Sequence, residues 1–263
     1  MAGGLHMRRP PASTHTLLKL QGPGTPVKCA AMRKAALLSL LLAALPAAVA
    51  ARTPVVVELY TAQGCGACGA ANAYVAKLAE RPGVLVLSFP VDYWDYLGWS
   101  DTFAKPEFTE RQKAYVAKLS LREPYTPQVI VDGRVQATGV KTDHLDKLVK
   151  DAGKTPHDPP DIRFIQAGKR IDIGSAHGSK GGAEVWLIRY DPREQDVAVK
   201  SGDNKGQTVV QKNVVREVKR LGAWKGRPVS FKLPAASEEG LKTVILVQQA
   251  HGGRILGVAQ AKK

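Results

Sequence analysis

Cys65 and Cys68 stand between an apolar β-branched run, Val55-Val56-Val57-Glu58-Leu59-Tyr60-Thr61, and an alanine-rich stretch from Gly69 to Glu80. The first pattern is that of a strand, the second favours a helix, and Gly64 marks the turn between them. This junction constrains the chain more than any other stretch, because it fixes a strand–turn–helix unit and sets a thiol pair on its turn. It predicts Cys65 exposed at the helix N-terminus, where unpaired backbone N–H groups and the helix dipole favour a thiolate. Cys68 then lies one turn deeper and more shielded. An exposed nucleophile with a resolving thiol behind it is what thiol–disulfide exchange requires. The spacing alone equally allows a structural disulfide or half of a zinc site. A zinc site needs two further ligands and no second cysteine pair exists, so no metal ligand is assigned.

Residues 1–31, with Pro10, Pro11, Pro23 and Pro26 among scattered basic residues, lack periodicity and read as an over-called upstream extension. Residues 32–50 read as a secretory signal peptide: Met32-Arg33-Lys34 is a basic n-region, Ala35 to Leu45 an apolar h-region, and Ala48-Val49-Ala50 a small-residue cleavage site. The apolar run contains Pro46 and is shorter than the ~20 residues that cross a bilayer, so no stable span is expected once the signal is cleaved. The expected location is secreted or periplasmic, with the exported chain starting at or near Ala51. Cys29 leaves with the leader, and Cys65 and Cys68 remain as an even pair in an oxidising compartment. The formal charge of +15 falls to +9 without the six basic residues of 1–50. The remaining Lys and Arg are dispersed, with no aromatic-interleaved basic run, which argues against a nucleic-acid partner.

After the cysteine helix, Val84 to Asp92 is a second apolar strand, and the two strands with their helix make a parallel βαβ unit. The loop Tyr93-Trp94-Asp95-Tyr96-Leu97-Gly98-Trp99-Ser100-Asp101 holds two of the four tryptophans in a chain only 6% aromatic. Such a loop either covers the core or offers Trp94 and Trp99 as an apolar platform for a substrate chain. A helix follows over Pro106 to Leu119 and ends before Pro124-Tyr125-Thr126-Pro127. Gln128 to Gly139 reads as a hairpin about Asp132-Gly133, and Lys141 to Ala152 as a last helix.

The resulting β-α-β-α-β-β-α order, with the cysteine pair closing the first strand and Thr126-Pro127 opening the third, resembles the thioredoxin superfamily over residues 53–152. More closely, Glu58-Leu59-Tyr60-Thr61-Ala62-Gln63-Gly64-Cys65, Val91 to Trp99, Tyr125-Thr126-Pro127-Gln128 and Asn213-Val214-Val215-Arg216 resemble secreted thioredoxin-like proteins of the DUF1223 family, a domain of unknown function. The superfamily resemblance implies Cys65 as attacking thiolate, Cys68 as resolving thiol and Pro127 as a cis-proline facing them, with Thr126 against the substrate. It also implies a buried acid on the first strand as proton relay. Glu58 is the nearest candidate, one residue farther from Cys65 than the superfamily spacing. No cofactor is implied.

Residues 153–160 read as a linker, Thr155-Pro156-His157-Asp158-Pro159-Pro160 being its core. Residues 161–263 show regular strand signals, with Val209 to Leu221 ambiguous between strand and helix, and are expected to form a small antiparallel sandwich-like domain. The expectation is an exported thioredoxin-like protein exchanging thiols and disulfides with extracytoplasmic polypeptides. The alternatives are a non-catalytic binding protein with a structural Cys65–Cys68 bridge, and Cu(I) handling by the two thiolates.

Overall fold

The computed structural model describes residues 53–155, 158–177 and 182–262; the upstream extension, the signal peptide and part of the linker lie outside them. The elements run β1 (Val55–Thr61), α1 (Cys68–Leu78), β2 (Val84–Pro90), a 3-10 turn (Asp95–Leu97), α2 (Pro106–Lys118), β3 (Gln128–Val131), β4 (Val135–Thr138) and α3 (Thr142–Lys154). This is the order expected for the first half. β1 runs parallel to β2 and antiparallel to β3, which turns back into β4.

β1 is buried along its whole length because its two faces meet different layers. Val55, Val57 and Leu59 pack with Ala71, Val75 and Leu78 of α1 and Leu145 and Val149 of α3. Val56 and Tyr60 join Phe89 and, from α2, Phe108 and Tyr115. A strand whose alternate side chains are covered on both faces reads as a nearly unbroken apolar run.

The second half departs from expectation. Its strands are β5 (Ile162–Ile165), β6 (Arg170–Ile173), β7 (Ala183–Ala198), β8 (Thr208–Trp224), β9 (Val229–Lys232), β10 (Lys242–Gln249) and β11 (Ile255–Gln260). They do not close on themselves as a sandwich. β7, β8, β10 and β11 extend the first sheet to the eight-stranded order β11-β10-β7-β8-β2-β1-β3-β4, and only β5, β6 and β9 form a second, three-stranded sheet. Ile188, Tyr190, Val215 and Leu246 therefore share a core with Tyr60, Phe89 and Phe108.

The seam is β8 against β2, parallel, with Ser88 opposite Val214. Asn213, at φ 53, donates its side-chain amide to the Val86 carbonyl at 2.9 Å, and the Ser88 hydroxyl donates to the Lys212 carbonyl at 2.8 Å. Side chains thus supply hydrogen bonds where the ladder is short, and asparagine tolerates the left-handed backbone that this requires. The ambiguous Val209–Leu221 stretch is strand because β7 pairs with β8 from Ala183↔Trp224 to Ala198↔Thr208.

Candidate functional site

β1 delivers the chain to a tight turn in which the Cys65 N–H donates to the Ala62 carbonyl at 3.2 Å and the Cys68 N–H to the Cys65 carbonyl at 3.0 Å. The two cysteines are joined as a disulfide, with Cα atoms 5.4 Å apart. Cys68 is the first residue of α1, whose first turn carries no acidic residue and whose N-cap, Ala67, makes no side-chain capping bond. The helix start therefore presents backbone N–H groups with no carboxylate of its own first turn to oppose a thiolate.

The expectation of an exposed Cys65 is corrected. Cys65 is 1% exposed and Cys68 0%. Both belong to the core cluster against which Tyr93 and Trp94 pack, and a further part of the cover comes from far along the chain, from the tip of the β7–β8 hairpin, residues 201–206. Asn204, 4% exposed between exposed Asp203 and Lys205, donates its side-chain amide to the Gln63 carbonyl at 2.8 Å and the Cys65 carbonyl at 3.0 Å. A Cβ at Gly66 would lie 3.3 Å from the Asp203 Cβ, and one at Gly202, where φ is +76, would lie 3.8 Å from the Gly64 Cα. The tip thus rests directly on the cysteine turn.

Gln63 anchors that turn from beneath. It is fully buried; its N–H donates to Asp101 Oδ2 at 2.7 Å and its Nε2 to Thr102 Oγ1 at 2.8 Å. Its Oε1 accepts from Trp99 Nε1 at 3.0 Å and the Thr102 N–H at 3.2 Å. Trp94 Nε1 donates to Thr126 Oγ1 at 2.7 Å, and the Trp94 Cβ lies 3.9 Å from a Cβ placed at Gly64. Trp94 and Trp99 are thus half-buried braces of the turn, and the Thr126 hydroxyl is already engaged. The ring open to solvent in this loop is Tyr96, 81% exposed. The Thr126–Pro127 peptide is cis. Pro127 meets α1 at Gly139, where a Cβ would fall 3.3 Å from the Pro127 Cβ and 2.6 Å from the Ala71 Cβ, an approach only glycine allows.

Asp101 closes the aromatic loop, its Oδ1 accepting the Phe103 and Ala104 N–H groups at 2.9 and 3.2 Å. Burial pushes its carboxyl up to about 6, against the backbone N–H groups that hold it down. In the unfolded chain the group titrates at about 3.9, so between about pH 4 and 6 the folded protein holds a proton that the unfolded chain releases. Its stabilising contribution is present below the unfolded value and lost as pH rises through about 6. In urea titrations from pH 4 to 7, the wild type should lose stability relative to Asp101→Asn by up to about 3 kcal/mol. Parallel pH profiles for the two proteins would contradict this.

Glu58 lies on the α2 side of β1. Its Oε2 accepts from the Tyr60 hydroxyl at 3.0 Å and Arg111 Nε at 2.8 Å, and its Oε1 from Arg111 Nη2 at 2.8 Å and the Tyr115 hydroxyl at 2.7 Å. Arg111 Nη2 also donates to Gln248 Oε1 at 3.1 Å, and the guanidinium lies 5.3 Å from the Trp186 ring centre. The structure therefore puts the residue expected as a relay at the centre of a buried network joining β1, α2 and β10. Gln63, Asp101, Arg111 and Asn204 carry no local sign of these roles in the sequence. Gly202-Asp203-Asn204-Lys205-Gly206 looks like any solvated loop, and the partner of each of these residues lies on another element.

Among the described residues, no group of three or more His, Cys, Asp and Glu side chains is placed to hold a metal ion. No helix among them is long and apolar enough to cross a membrane. The family described as "Protein of unknown function (DUF1223)" matches residues 56–248. No curated protein matches the chain. Among solved structures, the chain is similar to protein AGR_C_4864 from Agrobacterium tumefaciens, at 32% identity over 78% of this chain and 92% of that one, with a TM-score of 0.62. It is also similar in fold to HBP35 of Porphyromonas gingivalis, at 12% identity over 80% of this chain and 75% of that one, with a TM-score of 0.55.

Proposed function

The chain belongs to the DUF1223 family, and we propose for it thiol–disulfide exchange at Cys65–Cys68 within a thioredoxin-like frame. The observation that carries this reading is the joining of three features on one turn. These are a disulfide between β1 and α1, a helix start at Cys68, and a cis Thr126–Pro127 peptide tied to the turn through Trp94.

A substrate thiolate attacks Sγ of Cys65, the Cys65–Cys68 bond breaks, and Cys68 departs as a thiolate at the N–H-rich start of α1. A second substrate thiolate then attacks the mixed disulfide, which releases the substrate disulfide and the Cys65 thiolate. Two electrons pass from a dithiol substrate to the protein, whose thiolates take up two protons. The same steps in reverse let the reduced protein reduce a disulfide. We assign the protein to the exported compartment, on the signal-like stretch Met32 to Ala50, and its substrates to extracytoplasmic polypeptide thiols or disulfides.

The burial of both sulfurs favours a second reading, a structural bridge in a binding protein. Redox equilibration against glutathione separates the two. Exchange predicts a potential between about −270 and −120 mV, and a value below about −300 mV would establish the structural bridge instead.

A further inference from the structure

The loop that hides the cysteines is built like a ligand. Asn204 presents a carboxamide, chemically a peptide amide, and places it on the Gln63 and Cys65 carbonyls from 2.8 and 3.0 Å. Those two carbonyls flank Gly64 on the turn that carries the nucleophile. An extended polypeptide lying along the turn would offer its own backbone N–H groups to the same acceptors.

The tip holds its shape independently of this contact. The Val199 N–H donates to the Gln207 carbonyl at 2.9 Å, the Gly206 N–H to the Val199 carbonyl at 2.9 Å, and the Gln207 N–H to the Asn204 carbonyl at 2.9 Å. Its other approaches to the site are close contacts without a hydrogen bond among those described: the Asp203 Cβ and Oδ2 would stand 3.3 and 3.6 Å from a Cβ at Gly66, Ser201 Oγ 3.4 Å from one at Gly98, and the Trp99 Cβ 4.0 Å from one at Gly202. Among the described contacts, the Asn204 amide is the polar latch. Releasing it leaves two accessible carbonyl acceptors on the turn and an intact hairpin loop, so opening strands no buried donor there.

We propose that residues 201–206 are a displaceable plug that occupies the substrate groove of the cysteine site. The ligand that takes its place is an extended, thiol-bearing polypeptide whose backbone amides replace the Asn204 amide. The proposal rests on the exchange reading for its chemistry, but access to the sulfurs can be measured without it.

The test uses protein reduced with excess phosphine, then alkylated with iodoacetamide or with a polyethylene-glycol maleimide, with the urea-unfolded chain as reference. Wild type should react at least about tenfold more slowly with the bulky reagent than the unfolded chain does. Asn204→Ala should raise that rate roughly tenfold or more, the factor expected from losing two net hydrogen bonds. Asn204→Asp, which sets a carboxylate against two carbonyls, should raise it further. Wild-type thiols that already react at the unfolded rate would overturn the plug, as would variants that leave the rate unchanged with the fold intact by circular dichroism.

The ligand class is read separately, from the rate at which oxidised wild type reacts with reduced insulin B chain or with glutathione. The B chain should react about tenfold faster or more, because its amides can displace Asn204; equal rates would overturn the polypeptide assignment. A reduction potential below the exchange range would instead overturn the exchange reading and leave the alkylation result standing.

Discussion

Arg111→Ala is expected to destabilise the protein by about 3–5 kcal/mol, the range found when one partner of a buried ion pair is removed. The pair is fully enclosed, with side-chain exposures of 4% for Arg111 and 1% for Glu58. Removing the guanidinium leaves a carboxylate that, among the described residues, only the Tyr60 and Tyr115 hydroxyls still hydrogen-bond, and takes the Arg111 donor from Gln248. The loss should be cooperative over the whole fold, because the network links β1, α2 and β10 from both sides of the residue 153–160 boundary. Charge removal at both positions should be gentler: Glu58→Leu with Arg111→Met is expected to recover most of the loss, since no unpaired charge then stays buried. Urea unfolding with the disulfide intact measures all three proteins. An Arg111→Ala effect below about 1 kcal/mol would show that water reaches the site and that the network is not the internal fastening described.

What was legible in the sequence is what local chemistry decides. The alternating layers of β1 appear as an apolar run because both faces are covered, and the β3–β4 hairpin follows from Asp132 and Gly133, whose φ values of 49 and 62 suit the turn. The cysteine turn and its helix were legible for the same reason. What was hidden depends on pairing between distant segments. β8 carries no mark that it will lie beside β2; only Asn213, with its left-handed backbone and its bond to the Val86 carbonyl, records the seam.

The burial of Cys65 was hidden likewise. Asn204, which lies on its carbonyl, sits in a glycine- and charge-rich loop between the exposed Asp203 and Lys205. Glu58 shows the converse case, a residue noticed for its position on β1 whose partner, Arg111, reads in sequence as an ordinary charge on an amphipathic helix. Trp94 and Trp99 show a packing role that the sequence leaves open, each indole N–H being spent on a residue that shapes the cysteine turn.

The second large effect is an asymmetry between the two cysteines. Cys68 is the first residue of α1 and fully buried, whereas Cys65 lies on the turn directly beneath the Asn204 amide. If the tip leaves as proposed, the residue it uncovers is Cys65, whose carbonyl the Asn204 amide holds. Cys65→Ser should therefore abolish exchange, because the remaining thiol belongs to the first residue of α1 and makes no contact with the tip among those described. Cys68→Ser should leave a thiolate that attacks a substrate disulfide and is not released, so that mixed disulfides accumulate. A purely structural bridge predicts no such difference: both variants would lose similar stability, at most about 2–4 kcal/mol and less for so short a loop.

The direct measurement is a non-reducing gel of each serine variant after incubation with an extract of extracytoplasmic proteins. The account predicts thiol-sensitive adducts with Cys68→Ser and none with Cys65→Ser. Equal, adduct-free behaviour of the two variants would contradict it.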